Sequence, residues 1–360
     1  MDLYTKLLEV CRLFRIDYEY LGYETIQMGN VNKTYKVNFM LPEGTPKSFL
    51  VQNVNTYAFR NPIGLMNNID KVTEHIRAKK PGQLALHFHH TADRKTYVVD
   101  GDNFWRMTNY VHCVTFNAAS DYDILWNTGC AFGEFQADLN DFDIHELIET
   151  IPGFHNSVSR MEQFRAAVES DKMGRAAEMK EEIEFALSKA PLCSYIVDGL
   201  RDGRFRTCVT HNDTKINNVL MDKHTGEGVC IIDLDIVMPG SVLYDFGDAI
   251  RFGASTALED ETDLSKVSLD LEMFDVFVNG FVGELYDSMT KDEIMGLPMG
   301  AYLMTLETGI RFLGDYLNGD VYYHTAYPGH NRDRARNQLA LLRDMDGKME
   351  EMQAIVAKYL

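Results

Sequence analysis

The sequence predicts an α+β protein in two lobes, a small strand-rich one over residues 1–110 and a large helical one over residues 111–360. Three observations predict it. Short runs of alternating apolar and polar residues cluster in the first third of the chain. Apolar residues recur at helical spacing through most of the remainder. A chain of 360 residues is also too long for one compact core.

Taken in order, Leu3, Leu7, Leu8, Val10, Cys11 and Phe14 form a helical stripe over residues 2–16. Tyr35, Val37 and Phe39 alternate with Lys36 and Asn38, the period of a half-buried strand. The turn signal Pro42-Glu43-Gly44-Thr45-Pro46 leads into a further strand at Phe49-Leu50-Val51. Asn61-Pro62 has the form of a cap followed by proline at the first helical position, and Ile63, Met66, Ile69, Val72 and Ile76 continue at helical spacing. Tyr97-Val98-Val99, a turn at Asp100-Gly101 and the run Phe104 to Met107 predict a hairpin. Asn109-Tyr110-Val111-His112 leaves its last strand as the connector between lobes. Residues 121–200 and 268–360 read as mostly helical, including a charged helix from Met173 to Glu184, with a β-rich island at 207–235 between them. The stripe Leu342, Met345, Met349, Met352 and Val356 covers roughly two heptads, too few for a free-standing coiled coil. It predicts docking on the helical lobe, and a monomer or weak homodimer.

Composition narrows the function classes. The apolar fraction of 45% excludes a mainly disordered chain. A net charge of −19 argues against nucleic acid or an anionic membrane as partner. The 6 cysteines form no Cys-x-x-Cys pair and read as buried apolar residues in a reducing compartment. Met1-Asp2-Leu3-Tyr4 lacks the order of a signal peptide and no apolar run reaches membrane length, so a cytoplasmic location is expected.

The chemistry concentrates in Val209-Thr210-His211-Asn212-Asp213-Thr214-Lys215-Ile216-Asn217-Asn218 and, after a turn at His224-Thr225-Gly226, in Val229-Cys230-Ile231-Ile232-Asp233-Leu234-Asp235. A carboxylate follows a histidine by two positions and an asparagine follows the carboxylate by five. This is the spacing of the protein-kinase catalytic loop, with Asn212 where kinases carry arginine. An apolar hairpin then delivers a second carboxylate. Phosphoryl transfer needs in-line positioning and charge neutralisation more than covalent help. Asp213 suits the base that accepts the hydroxyl proton, while Asn218 and Asp233 offer hard oxygen ligands to Mg²⁺. Further on, Asp245 and Asp248 would lie about one helical turn apart. A metal role is open to them, as is a role for Asp245 in bonding the backbone of the catalytic loop next to His211.

Two other features weigh less. His87-Phe88-His89-His90 resembles a metal cluster, but strand alternation would divide its rings between two faces. No Gly-x-x-x-x-Gly-Lys-Ser/Thr and no Gly-x-Gly-x-x-Gly occurs, which excludes P-loop and dinucleotide-binding architectures.

The segment from His211 to Ser255 resembles the aminoglycoside-phosphotransferase family and, within it, the N-acetylhexosamine 1-kinases. The matching blocks are Ile232-Asp233-Leu234-Asp235, Pro239-Gly240-Ser241 and Asp248-Ala249-Ile250-Arg251-Phe252-Gly253-Ala254-Ser255. Weaker likenesses lie at Val197 to Gly203, at Gly309-Ile310-Arg311-Phe312-Leu313 and at Gly319-Asp320-Val321-Tyr322. The resemblance implies a two-lobed protein-kinase-like fold holding ATP between the lobes, with contacts from Gln52, Asn109 and Val111. It implies Asp213 as base, Asn218 and Asp233 on Mg²⁺, and sugar contacts from Phe252, Arg311 and Tyr322. The implied reaction is ATP-dependent phosphorylation of the anomeric hydroxyl of GlcNAc or GalNAc. The alternative is another small hydroxylated acceptor on the same fold, an aminoglycoside, choline or a related amino alcohol. Two departures stand out. Gln52 occupies the third-strand position where kinase-like folds usually carry lysine. The hexosamine kinases have a histidine near the sugar where this chain reads Met28-Gly29-Asn30-Val31-Asn32, and Asn30 is the residue there able to hydrogen-bond a sugar hydroxyl.

Overall fold

The computed structural model describes residues 2–27, 31–117 and 121–360. The chain divides into two compact units. One comprises Met1–Cys113 with His145–Thr150 and Leu234–Val237; the other comprises Val114–Ile144, Ile151–Asp233 and Met238–Leu360.

The first unit is a sheet between helices. Helix α1 (Leu3–Leu13) precedes strands β1 (Glu19–Ile26), β2 (Lys33–Met40) and β3 (Pro46–Val54), then helix α2 (Pro62–Lys79) and the hairpin β4 (Val98–Asp100) and β5 (Asn103–Asn109). The five strands are antiparallel in the order β1-β2-β3-β5-β4. Alternation sorts their faces: Val37, Phe39, Phe49, Val51, Trp105 and Met107 pack against Leu7 and Val10 of α1 and Phe14 at its C-cap. The cap foreseen at Asn61 is present, its side chain accepting from Gly64 N at 3.0 Å. Asn68 of α2, fully buried, donates to Ile148 O at 2.7 Å and Val237 O at 3.0 Å and accepts from Ile148 N at 2.9 Å. One amide thus ties both outlying segments into this unit.

The second unit is helical around two small ladders. It runs α3 (Tyr122–Asp138), α4 (Ser157–Ser170), α5 (Lys180–Ser188), α6 (Ser194–Arg201), β6 (Cys208–Thr210), β7 (Val219–Met221), β8 (Gly228–Ile231), β9 (Met238–Gly240), α7 (Val242–Gly253), α8 (Leu271–Leu285), α9 (Lys291–Asn318) and α10 (His330–Val356). Strand β6 pairs with β9 and β7 with β8, both antiparallel. The charged helix expected from Met173 begins only at Lys180. Asp171 (φ 33°) and Gly174 (φ 66°) adopt left-handed backbone that interrupts it. Helices α7 and α9 cross at Gly247 and Gly300, where a Cβ on Gly247 would lie 2.3 Å from Gly300 O. Leu342, Met345, Met352 and Val356 of α10 are fully buried within the unit, and Met349 is half-buried. Among the described residues no helix is long and apolar enough to cross a membrane.

Candidate active site

Strand β6 delivers His211 into the core of the helical unit, between the rings of Phe132 and Phe135, whose centroids lie 5.6 and 5.9 Å away. Its Nε2 lies 2.8 Å from Ile232 O, a group that can only accept, so the ring carries its proton there. That leaves Nδ1 to accept the Asp213 N–H at 3.2 Å. The histidine therefore joins the catalytic loop to the residue immediately before Asp233. The loop turns at Asn212, whose φ of 66° is left-handed, a conformation open to short polar residues at a cost of about 1–3 kcal/mol. Asp233 has the same character, with φ 62°.

Beyond that turn the Asp213 carboxylate meets two donors. Asn218 Nδ2 donates to Asp213 Oδ2 at 3.0 Å and to its carbonyl at 2.8 Å, and Lys215 Nζ lies 2.8 Å from Oδ1. With the Asn218 amide nitrogen so engaged, its Oδ1 is the atom turned away from Asp213. Register accounts for Asp233: Val219 opposes Ile231 across the β7–β8 hairpin, and Ile232 N donates to Asn218 O at 2.9 Å. The backbones carrying Asn218 and Asp233 are thereby adjacent. Asp233 itself is exposed.

Helix α7 underpins the loop. Asp245, 1% exposed, accepts from His211 N at 2.9 Å, Asn212 N at 2.8 Å and Gln136 Nε2 at 2.5 Å. Burial pushes its carboxyl up, against the pull of those donors. Asp248 accepts from Thr214 N at 2.9 Å and from Arg251 Nε at 2.8 Å, and Arg251 Nη1 continues to Glu259 at 2.7 Å. Burial alone would raise the Asp248 carboxyl, but Arg251 and Lys215 reverse this and hold it below its ordinary value. Lys215 mirrors it: burial works to lower the ammonium, and Asp213 and Asp248 hold it raised. Both carboxylates bond the backbone of the catalytic loop, Asp245 at His211 and Asn212 and Asp248 at Thr214. Every carboxylate oxygen of the two meets a protein donor.

Arg311 and Tyr322 come together. The Arg311 guanidinium lies 5.9 Å from the Tyr322 ring, 5.6 Å from Tyr323 and 5.3 Å from Phe154. Asp315 fixes the tyrosines by accepting from Val321 N, Tyr322 N and Tyr323 N at 3.0, 2.9 and 3.0 Å. Phe252 stands in the last turn of α7, where with Arg251 and Glu259 it lines a cavity of about 320 Å³. Asn30 lies outside the described residues.

In the strand-rich unit Gln52 is paired at both ends of its amide, donating to Thr34 Oγ1 at 3.0 Å and accepting from Arg106 Nε at 2.9 Å. Asn109 Oδ1 lies 2.9 Å from His89 Nε2, and Val111 O accepts from Cys113 N at 3.1 Å. The histidines do not divide as strand alternation would require. Only Phe88 forms a bridge, and the His87 ring lies 4.9 Å from His89 and 6.2 Å from His90. Each meets a separate protein partner: Glu74 for His87, Asn109 for His89 and Asp70 for His90. Among the described residues no group of His, Cys, Asp or Glu is arranged to hold a metal.

Lys215 and Arg106 escaped the sequence reading. Lys215 carried a signal, two positions after Asp213 in an extended loop. Arg106 carried none, because a charged residue between Trp105 and Met107 reads as the solvent face of a strand.

The fold and this loop define a kinase-like architecture, and residues 121–267 match the phosphotransferase enzyme family, APH. Among solved structures the chain is similar to choline kinase from Cryptosporidium parvum Iowa II, at 11% identity and TM-score 0.61 over 98% of this chain and 99% of that one. It is similar to a spectinomycin phosphotransferase in complex with ADP and spectinomycin, at 13% identity and TM-score 0.58 over 97% and 99%. A Plasmodium vivax ethanolamine kinase follows at 14% identity and TM-score 0.55 over 88% and 82%. At these identities the likeness establishes the fold.

Proposed function

We propose that the protein transfers the terminal phosphoryl group of ATP to the anomeric hydroxyl of an N-acetylhexosamine, yielding the sugar 1-phosphate and ADP. The observation that carries the phosphotransferase reading is the Asp213 carboxylate, held at 3.0 Å by Asn218 and 2.8 Å by Lys215 on a loop joined to Asp233. Asp213, 22% exposed, accepts the acceptor's proton as its oxygen attacks phosphorus and the bond to the ADP oxygen breaks. Lys215 holds that carboxylate in place and adds positive charge where phosphoryl oxygens would approach. The donor set fits Mg²⁺: the Asn218 Oδ1 left over from the contact with Asp213 and the exposed Asp233 carboxylate are hard oxygens on adjacent backbone. When bound, the ion would neutralise charge on the nucleotide phosphates.

The acceptor rests on the blocks around Phe252, Arg311 and Tyr322 that resemble the hexosamine kinases. One feature bears on the amino-alcohol alternative, which the choline kinase and ethanolamine kinase likenesses keep in view. The rings of Phe154, Tyr322 and Tyr323 surround Arg311, whose Nη1 lies 3.9 Å from Glu307 Oε1, so a cation already fills the place among these rings that a quaternary ammonium would take. The test is a panel of GlcNAc, GalNAc, kanamycin, choline and ethanolamine with ATP and Mg²⁺. Reducing sugar should disappear in step with ADP release, and phosphorus NMR should show an acid-labile anomeric phosphate. ADP release with all reducing ends retained would sink the anomeric assignment. Release with choline or ethanolamine alone would transfer the case to an amino-alcohol kinase.

A further inference from the structure

Gln52 leaves the third-strand position of the N-terminal unit without its usual cation. The neighbouring strand supplies one. Arg106 is the cross-strand partner of Gln52 in the β3–β5 ladder. Because Trp105 and Met107 enter the core against α1, alternation sends Arg106 to the opposite face, where it is 2% exposed. There its Nε donates to Gln52 Oε1 at 2.9 Å, its Nη1 pairs with Asp235 Oδ1, and its guanidinium lies 5.7 Å from the Phe88 ring. The other carboxylate oxygen of Asp235 accepts from Asn32 Nδ2 at 2.6 Å. Buried Arg106 and Asp235 and half-buried Gln52 and Asn32 thus form one bonded chain that joins strands β3 and β5, the residue just ahead of β2 and the Leu234–Val237 segment of the same unit.

That segment is pinned twice, at Asp235 by Arg106 and at Val237 by Asn68, 3.0 Å from its carbonyl. Asp233 stands immediately ahead of it in a left-handed backbone conformation. The chain is thus anchored two residues past Asp233. The full engagement of Asp235 also removes it as a competing cation ligand.

We infer that Arg106 is a positioning residue for Asp233: by holding Asp235 it aims the Asp233 carboxylate, and divalent-cation use depends on this buried pair. The inference rests on the reading of Asp233 as a cation ligand. A guanidinium suits the task because its planar fork serves Gln52 and Asp235 together, which an ammonium on the third strand would not do.

The test compares Arg106→Met, Asp235→Asn, Arg106→Lys and the double variant Arg106→Met/Asp235→Asn. Each neutralising single change strands a buried charge and lowers the unfolding midpoint, while the double variant removes both charges and regains most of that loss. Three readouts are taken: the midpoint, the Mg²⁺ concentration for half-maximal ADP release, and calorimetric binding of ADP with and without Mg²⁺. The double variant is expected to need about tenfold more Mg²⁺ and to bind ADP with Mg²⁺ about tenfold more weakly, the scale seen when outer partners of metal ligands are removed. Its metal-free ADP affinity should stay unchanged. Arg106→Lys, which keeps a cation for Asp235, should fall between wild type and the double variant. A double variant with restored stability and wild-type Mg²⁺ dependence would reduce the pair to a structural contact and overturn the inference. A wild-type protein whose ADP binding ignores Mg²⁺ would instead remove the cation role of Asp233, a failure visible before any variant is made.

Discussion

Replacing Asp245 by asparagine probes how the catalytic loop is held. The carboxylate is 1% exposed and accepts three donors, the N–H groups of His211 and Asn212 and the Gln136 amide. Asparagine keeps the shape but turns one acceptor oxygen into a donor, so at least one buried N–H loses its partner. That costs about 1–3 kcal/mol. Alanine would orphan all three at roughly 3–9 kcal/mol by the same rule, comparable to the whole stability of a typical domain, so asparagine is the informative change. The lost bond also releases Asn212 from its left-handed turn, and Asp213 follows it directly in the chain. If the same 1–3 kcal/mol is expressed as misplacement of the base, turnover falls by about 5- to 150-fold. Urea unfolding followed by tryptophan fluorescence gives the first number and steady-state ADP release the second. A variant with an unchanged midpoint and unchanged turnover would refute the claim that these bonds hold the loop.

Three further outcomes are expected. Asp213→Asn lowers kcat by about 10²–10⁴-fold, and ATP binding measured by calorimetry changes little because the side chain keeps its size. Asp233→Asn raises the Mg²⁺ concentration for half-maximal rate, and an unchanged titration would exclude it as a ligand. Glu293, 1% exposed, accepts from the N–H of Thr290, the N-cap of α9, at 2.9 Å and pairs with Arg206 at 2.8 Å; burial alone would raise its carboxyl, but the Arg206 and Thr290 bonds hold it below its ordinary value of 4.5. A carboxyl lowered on folding stabilises above its unfolded pKa and loses that contribution as pH falls through the folded value. Glu293→Gln should therefore lower the unfolding midpoint at pH 7, with a gap to wild type that narrows below about pH 4.5 in a thermal-melt series.

What the sequence determined by itself is local. Helix stripes, the Asn61-Pro62 cap, the strand alternation at Tyr35–Phe39 and the spacing from His211 to Asn218 each depend on residues a few positions apart. Their period or offset is therefore visible in the chain. The hairpin that returns Asp233 beside Asn218 belongs to the same class, since one turn and one register place it. Tertiary structure decided the pairings between distant residues. Asp245 supporting His211 and Asn212, Arg106 meeting Asp235, and Arg311 meeting Phe154 all join elements far apart in sequence. The histidines at 87–90 teach the same lesson in reverse. Alternation holds only where a ladder enforces it, and that stretch has a single bridge at Phe88. The distinction is physical. Propensity and period act through neighbouring dihedrals, whereas a buried charge finds its partner only when the whole core has closed around it.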